Sequence, residues 1–162
     1  MVLMEGHVIE SYGPYGSKRL QNYCMQLRAN DRISEVRVMH GYIVNAIEFM
    51  IANLHTGSTI VKLGGNGQKE SKIVLEDVEF ITRISGAYGY DRDRKQEGIA
   101  ALMIHTNLCP VGYGPYGFGT EVDVRDFSSP LLNDGPIVGV FGRHDDNLES
   151  IGVLLKKDFP PS

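Results

Sequence analysis

Three glycine clusters, Gly13-Pro14-Tyr15-Gly16, Gly64-Gly65-Asn66-Gly67 and Gly114-Pro115-Tyr116-Gly117, follow one another at intervals of 51 and 50 residues. The first and third are near copies, Ser-Tyr-Gly-Pro-Tyr-Gly-Ser at 11–17 and Gly-Tyr-Gly-Pro-Tyr-Gly-Phe at 112–118. A second set of matches lies about midway between them: Asn45-Ala46-Ile47-Glu48-Phe49, Ala100-Ala101-Leu102-Met103-Ile104 and Glu149-Ser150-Ile151-Gly152-Val153. A fixed period of about 50 residues means three copies of one supersecondary unit, stacked so that each buries a face the others need covered.

Each copy reads as about four strands. In the first, 33–39 alternates through Val36 and Val38, Gly41-Tyr42 turns the chain, and 46–51 alternates through Ile47, Phe49 and Ile51. In the second, 72–75 and 79–84 lead into a polar loop over 86–96 and then a strand over 99–105. The apolar run 99–104 fits a helix as well as a strand, and the repeat decides for strand. In the third, strands over 121–124 and 136–141 precede a hairpin, with 138–141 and 151–155 flanking the polar tip Arg143-His144-Asp145-Asp146-Asn147. High glycine (19 residues) with eight tyrosines supports an all-β chain with many turns. No linker interrupts the 162 residues, so they read as one domain with its core over 8–156, and only Pro160-Pro161-Ser162 reads as disordered.

The charge pattern removes several functions. Net charge is −4 and the cations are dispersed, apart from Lys18-Arg19 and the run 92–95, so no basic face for nucleic acid is present. No apolar run reaches membrane-spanning length, and the first residues are too polar for a signal peptide, which points to the cytoplasm. Cys24 and Cys109 form neither a disulfide framework nor a zinc spacing and read as buried thiols. The five histidines form no metal constellation, and no cofactor motif is found. His144-Asp145-Asp146 lacks a nucleophile elbow, and Leu63-Gly64-Gly65-Asn66-Gly67-Gln68-Lys69 lacks the Gly-Lys-Ser/Thr ending of a phosphate loop. The chain does not read as an enzyme.

The tip carries three carboxylates, Asp145, Asp146 and Glu149, which accept hydrogen bonds beside backbone N–H groups that donate them. Such a pairing suits neighbouring sugar hydroxyls, and it also describes a solvated acidic turn. The segment Phe-Gly-Arg-His-Asp-Asp-Asn-Leu-Glu-Ser-Ile-Gly at 141–152 resembles the closing hairpin of jacalin-related lectins, where a Gly-x-x-x-Asp sugar loop runs into Ala/Ser-Ile-Gly. The resemblance extends through Ile84-Ser85-Gly86, through Thr106-Asn107 with Gly112-Tyr113-Gly114-Pro115-Tyr116-Gly117, and through Val138-Gly139-x-Phe141-Gly142-Arg143. Registered on Ser150-Ile151-Gly152, the family's Gly falls on Asp145 and its Asp on Glu149, so both key positions depart from the pattern.

This resemblance implies a β-prism of three four-stranded Greek-key sheets with pseudo-threefold symmetry. It also implies a shallow mannose/glucose-type site at one end, built from three loops. The chain runs from Tyr12 to Leu20 with no processing boundary visible, as in the uncleaved members. Gly16 and the N–H of Ser17 stand for the glycine loop. Ala87 and Tyr88, with Tyr90 beyond, stand for a stacking loop. Asp145, the N–H groups of Asp146 and Asn147, and the Glu149 carboxylate stand for the acidic tip. Gly41, Tyr42 and Asn45 form a possible second site in the first repeat. The resemblance further implies glycan partners and a homo-oligomer, most simply a dimer. The competing expectation is a prism that has lost the sugar and serves as an interaction domain, because Asp145 would need a positive φ that glycine adopts more cheaply.

Overall fold

The computed structural model describes residues 2–4, 7–117, 124–131 and 136–158. The expected strand over 121–124 lies largely outside these residues, as does the 160–162 tail. All elements among the described residues are strands: β1 (Val2–Met4), β2 (His7–Gly16), β3 (Tyr23–Gln26), β4 (Asp31–His40), β5 (Val44–Asn53), β6 (Gly57–Gly64), β7 (Lys69–Val74), β8 (Ile81–Asp91), β9 (Gln96–Thr106), β10 (Tyr113–Tyr116), β11 (Arg125–Ser128), β12 (Ile137–His144) and β13 (Leu148–Asp158).

They form three antiparallel sheets around one core, in the orders β6-β5-β4-β7, β10-β9-β8-β11 and β1-β2-β13-β12-β3. The first two sheets are continuous in sequence. The third joins the two ends of the chain: β2 pairs with β13 from Gly16↔Ser150 to His7↔Asp158, and β1 adds a fifth strand at its edge. The glycine cluster at 13–16 therefore completes the last repeat. The three Greek-key sheets of a β-prism are present.

The repeat is visible in the packing. Ile47, Leu102 and Ile151 occupy one layer of the core, Phe49, Ile104 and Val153 the next, and all are buried. The same register break occurs near the start of each central hairpin, between Ile33 and Glu35, Ile81 and Arg83, and Ile137 and Gly139. One departure from expectation concerns 86–96. This stretch is not a loop, because β8 continues to Asp91 and only residues 92–95 turn the chain. Tyrosine and the small residues of Gly86-Ala87-Tyr88-Gly89 satisfy a strand whose inner face is crowded, since a Cβ at Gly86 would collide with the Ala101 carbonyl. Cys24 also differs, being exposed on the edge strand β3, while Cys109 is half-buried.

Gly16, Gly64 and Gly117 show why the glycine period is strict. All three have positive φ (118°, 118° and 89°), and each presses on the backbone of the neighbouring strand, at Glu149, Asn45 and Ala100 respectively. Gly57 shares the positive φ (84°) but has open space around it. Gly57→Ala should then cost about 1–2 kcal/mol, the left-handed penalty alone. Gly64→Ala should add roughly 1–3 kcal/mol of steric overlap to the same penalty. Urea unfolding of both variants checks this; equal midpoints would contradict it.

A buried acid ties the β7–β8 turn to the second sheet. Glu79 Oε2 accepts hydrogen bonds from Thr106 Oγ1 and from Tyr113 OH (2.7 Å), and Oε1 accepts the Glu76 N–H at 3.1 Å. Burial by itself pushes the Glu79 carboxyl up, but the bonds from Thr106, Tyr113 and Glu76 outweigh it and hold it below the usual carboxylate range. The same bond to Glu79 comes first among the causes that push the Tyr113 phenol up to about 12. With the folded value depressed, this stabilisation is present above the ordinary glutamate value of about 4.3 and is lost as pH falls through the folded value. Glu79→Gln should lower stability by about 1–3 kcal/mol at neutral pH and make the acid limb of the stability curve shallower. Urea titrations between neutral and acidic pH measure both; a parallel limb would refute the assignment.

Candidate functional site

One end of the prism gathers the turns of all three repeats. The acidic tip lies between β12 and β13 and is closed by the Asp145 N–H donating to Asn147 O at 3.0 Å. That turn leaves the Asp146 and Asn147 N–H groups out of its own hydrogen bond. Asp145 and Asp146 are exposed, whereas Asn147 is buried. Asp145 is not among the described residues with positive φ, which outside glycine are Asn30 and Lys95. The replacement of the family's glycine therefore carries no left-handed strain at this position.

Neighbouring segments fix the tip from four sides. From the first repeat, Gly64 N–H donates to His144 Nδ1 at 3.0 Å, and Gly65 packs so closely on the Asp146 carbonyl that a Cβ would collide with it. Asn45, also in the first repeat, meets the Asn147 amide at 2.8 Å. From the second repeat, Arg94 reaches the same amide. Arg94 Nε only donates, so the Asn147 atom 3.0 Å away is the amide oxygen, and its nitrogen faces Asn45 and the Asp146 carbonyl. Arg94 is itself held by Asp91, whose Oδ2 takes Arg94 Nη1 at 2.9 Å and whose Oδ1 caps the Asp93 and Arg94 N–H groups.

The fourth side is a strap over residues 17–22, between β2 and β3. Ser17 N–H donates to Glu149 O at 3.0 Å, and Ser17 Oγ accepts the Arg19 N–H at 3.2 Å. Asn22 and His144 exchange hydrogen bonds, Asn22 Nδ2 to His144 O at 2.7 Å and His144 N–H to Asn22 Oδ1 at 2.9 Å. Arg143 Nη1 donates to Leu20 O at 3.0 Å.

The strap covers Glu149. Its side chain is 0% exposed, and Oε1 lies 3.3 Å from Arg143 Nε and 3.4 Å from Arg19 Nη1. Oε2 finds no hydrogen-bond partner among the described residues. Glu149 sits at a β-bulge: Arg143 pairs with Ser150 and His144 with Leu148, so Glu149 is the extra residue on β13, and Leu148 takes the core position that precedes Ile151. The expectation of a carboxylate open to sugar hydroxyls is thus corrected: this structure places the Glu149 carboxylate inside, between two guanidinium groups.

The remaining expected residues divide. Gly16, Ser17, Asp145, Asp146, Asn147 and Glu149 come together at this end, although the Ser17 N–H is engaged by Glu149 O. Ala87 and Tyr88 do not form a stacking loop. Both lie within β8, with Ala87 buried and Tyr88 tilted against Phe127 at 6.2 Å between ring centroids. Residues 92–95 form the turn between β8 and β9, from which Arg94 reaches the tip. In the first repeat, Tyr42 is exposed at its turn, Gly41 is buried, and Asn45 is buried against Asn147. Sequence reasoning missed Arg19, Arg94, Arg143 and Asn22. Of these, only Arg94 had a signal, the Asp-x-x-Arg spacing from Asp91 that lets a turn-capping acid hold an arginine three residues on. Among the described residues no group of three or more His, Cys, Asp or Glu is placed to hold a metal ion.

Removing the charge of Glu149 leaves Arg143, only 17% exposed, without its counter-ion. Glu149→Gln should therefore destabilise the fold itself by about 3–5 kcal/mol, the cost of breaking a buried pair. Chemical unfolding is the measurement, and an unchanged midpoint would show that the carboxylate is not held as described.

Residues 12–154 match the sequence profile of the Jacalin-like lectin domain. A mannose/glucose-specific lectin of Parkia platycephala is 29% identical over 158 residues, 96% of this chain and 33% of that protein. The chain thus spans about a third of that relative's length. Horcolin of Hordeum vulgare is 32% identical over 126 residues, covering 76% of this chain and 82% of horcolin. Among solved structures, wild-type Malaysian banana lectin superposes with a TM-score of 0.75 at 27% identity, over 95% of this chain and 100% of that one. Calystegia sepium agglutinin superposes at 0.78 with 22% identity, over 98% and 100%, a likeness of fold.

Proposed function

The chain belongs to the jacalin-like lectin family, and from that premise we propose that it binds mannose/glucose-type glycans at the end of the prism where the acidic tip meets the 17–22 strap and the 92–95 turn. As a lectin domain it acts by binding and not by catalysis. The observation that carries the site is the tip itself. Its backbone closes without left-handed strain at Asp145, and it is clamped by Asn45, Arg94 and Gly65, so its N–H groups are held in a fixed geometry. Fixed donors avoid the ordering cost that a mobile loop would incur on binding. The names of the Parkia lectins support the sugar type.

A second reading, a prism working as an interaction domain without sugar, is favoured by one observation: the Glu149 carboxylate is buried and paired with arginines. The two readings separate in one experiment. Monosaccharide affinity should be millimolar, about −4 kcal/mol, since a site at loop ends excludes little water. Calorimetric titration with mannose, glucose and a high-mannose glycan should show saturable heat with at least one. No heat with any of them would select the interaction domain. We further propose a homodimer, which would raise the avidity of so weak a site; a monomeric mass by light scattering at about 50 µM would count against it.

A further inference from the structure

We infer that Arg19 is a specificity-determining residue of this site and turns it toward acidic sugars, namely hexuronates with the ring configuration of mannose or glucose. The inference rests on the acidic tip being the sugar site. Its ground is the set of hydrogen-bonding groups that the structure leaves accessible at the end of β13. The carboxylate of Glu149, which would accept hydroxyl protons, is 0% exposed and flanked by two guanidinium groups. Arg143 is closed in, at 17% exposure, with Nη1 on the Leu20 carbonyl. Arg19 is different. Its side chain is 57% exposed, and its ion pair to Glu149 is long at 3.4 Å. A guanidinium has five N–H donors, and the contact with Glu149 uses Nη1 alone.

Charge is divided across this end: Lys18, Arg19 and Arg143 balance Glu149, Asp145 and Asp146, but the exposed cations Lys18 and Arg19 lie on the strap and the exposed carboxylates Asp145 and Asp146 at the hairpin apex. Arg94 adds no free charge, because Asp91 neutralises it. Apart from the two carboxylates at the apex, what the end of β13 offers a ligand is donors: the Arg19 fork and the N–H groups of the tip. Hydroxyls, which donate as well as accept, are only half satisfied by such a set. A carboxylate accepts alone and matches a guanidinium in two parallel hydrogen bonds. Asp145 and Asp146, exposed at the apex of the hairpin, bound the site with negative charge. They oppose polyanions and leave room for a ligand with a single carboxylate.

The test titrates the intact chain at neutral pH with glucose, glucuronate and the methyl ester of glucuronate, which keeps the shape and removes the charge, and with mannose and mannuronate. Glucuronate should bind roughly tenfold more tightly than glucose or the ester, the scale of one charged hydrogen-bonded pair. The gap should narrow between about 50 mM and 500 mM salt as screening rises. Arg19→Gln should abolish the preference and Arg19→Lys should restore part of it, the charge being kept and the fork lost. Arg143 still faces Glu149 in both variants, so Arg19→Gln should lower the urea midpoint modestly and Arg19→Lys less, and both remain folded for titration. Neutral sugar binding without any uronate preference, or a preference that survives Arg19→Gln, would overturn the role of Arg19 and leave the lectin reading intact. Absence of binding by every sugar would overturn both.

Discussion

The pairing of β2 with β13 is the constraint on which the molecule depends. It joins residues near the two ends of the chain in one ladder, from Gly16↔Ser150 to His7↔Asp158, and it completes the third sheet of the prism. Without it the last repeat would present β13 as an edge, with unpaired backbone groups beside the most buried apolar layer. The closure also sets the site. Because β2 ends against Glu149, the chain that leaves it must cross the end of β12 and β13 to reach β3, and that crossing is the 17–22 strap.

The strap decides how the acidic tip behaves electrostatically. A carboxylate as fully buried as that of Glu149 is costly without compensation. Arg143, on β12, and Arg19, on the strap, supply it, the first enclosed and the second largely exposed. The same two residues convert the strand end from an acceptor into a donor surface. Position and chemistry are thus separable here: the fold keeps the family's acid in place, and neighbouring residues change what that acid presents.

The tip is also the point where the three repeats cease to be equivalent. Asn45 and Glu149 are counterparts in the repeat, and Ala100 is the third. Asn45 turns to the Asn147 amide, Glu149 to the arginines, and Ala100 carries no polar group. Symmetry in the core layers is maintained because apolar side chains of similar size fill equivalent positions. Polar positions at the end of the axis are free to diverge, and there one repeat supplies the tip while the others brace it.

The meeting of Gly16, Ser17 and 145–149 at one place was implied by the family resemblance, whereas the sequence by itself determined the all-β class and the threefold repeat. These follow from local rules: glycine at fixed intervals where a positive φ and close backbone contact coincide, and apolar alternation with period two. The alternation through Leu155, Val153 and Ile151 stops at Glu149, where β13 bulges and Leu148 takes the next core position, so the burial of Glu149 was not legible in it. The extent of β8 was misjudged because Gly86-Ala87-Tyr88-Gly89 has the composition of a turn, whereas the small residues answer to the crowding of the adjoining β9 backbone, a tertiary property. Only the tertiary structure decided the partners of the carboxylate. Arg19 is 130 residues from Glu149 along the chain, and nothing local to either residue specifies their encounter. It arises because β2 closes on β13 and carries the strap, with its arginine, across the end of the strand.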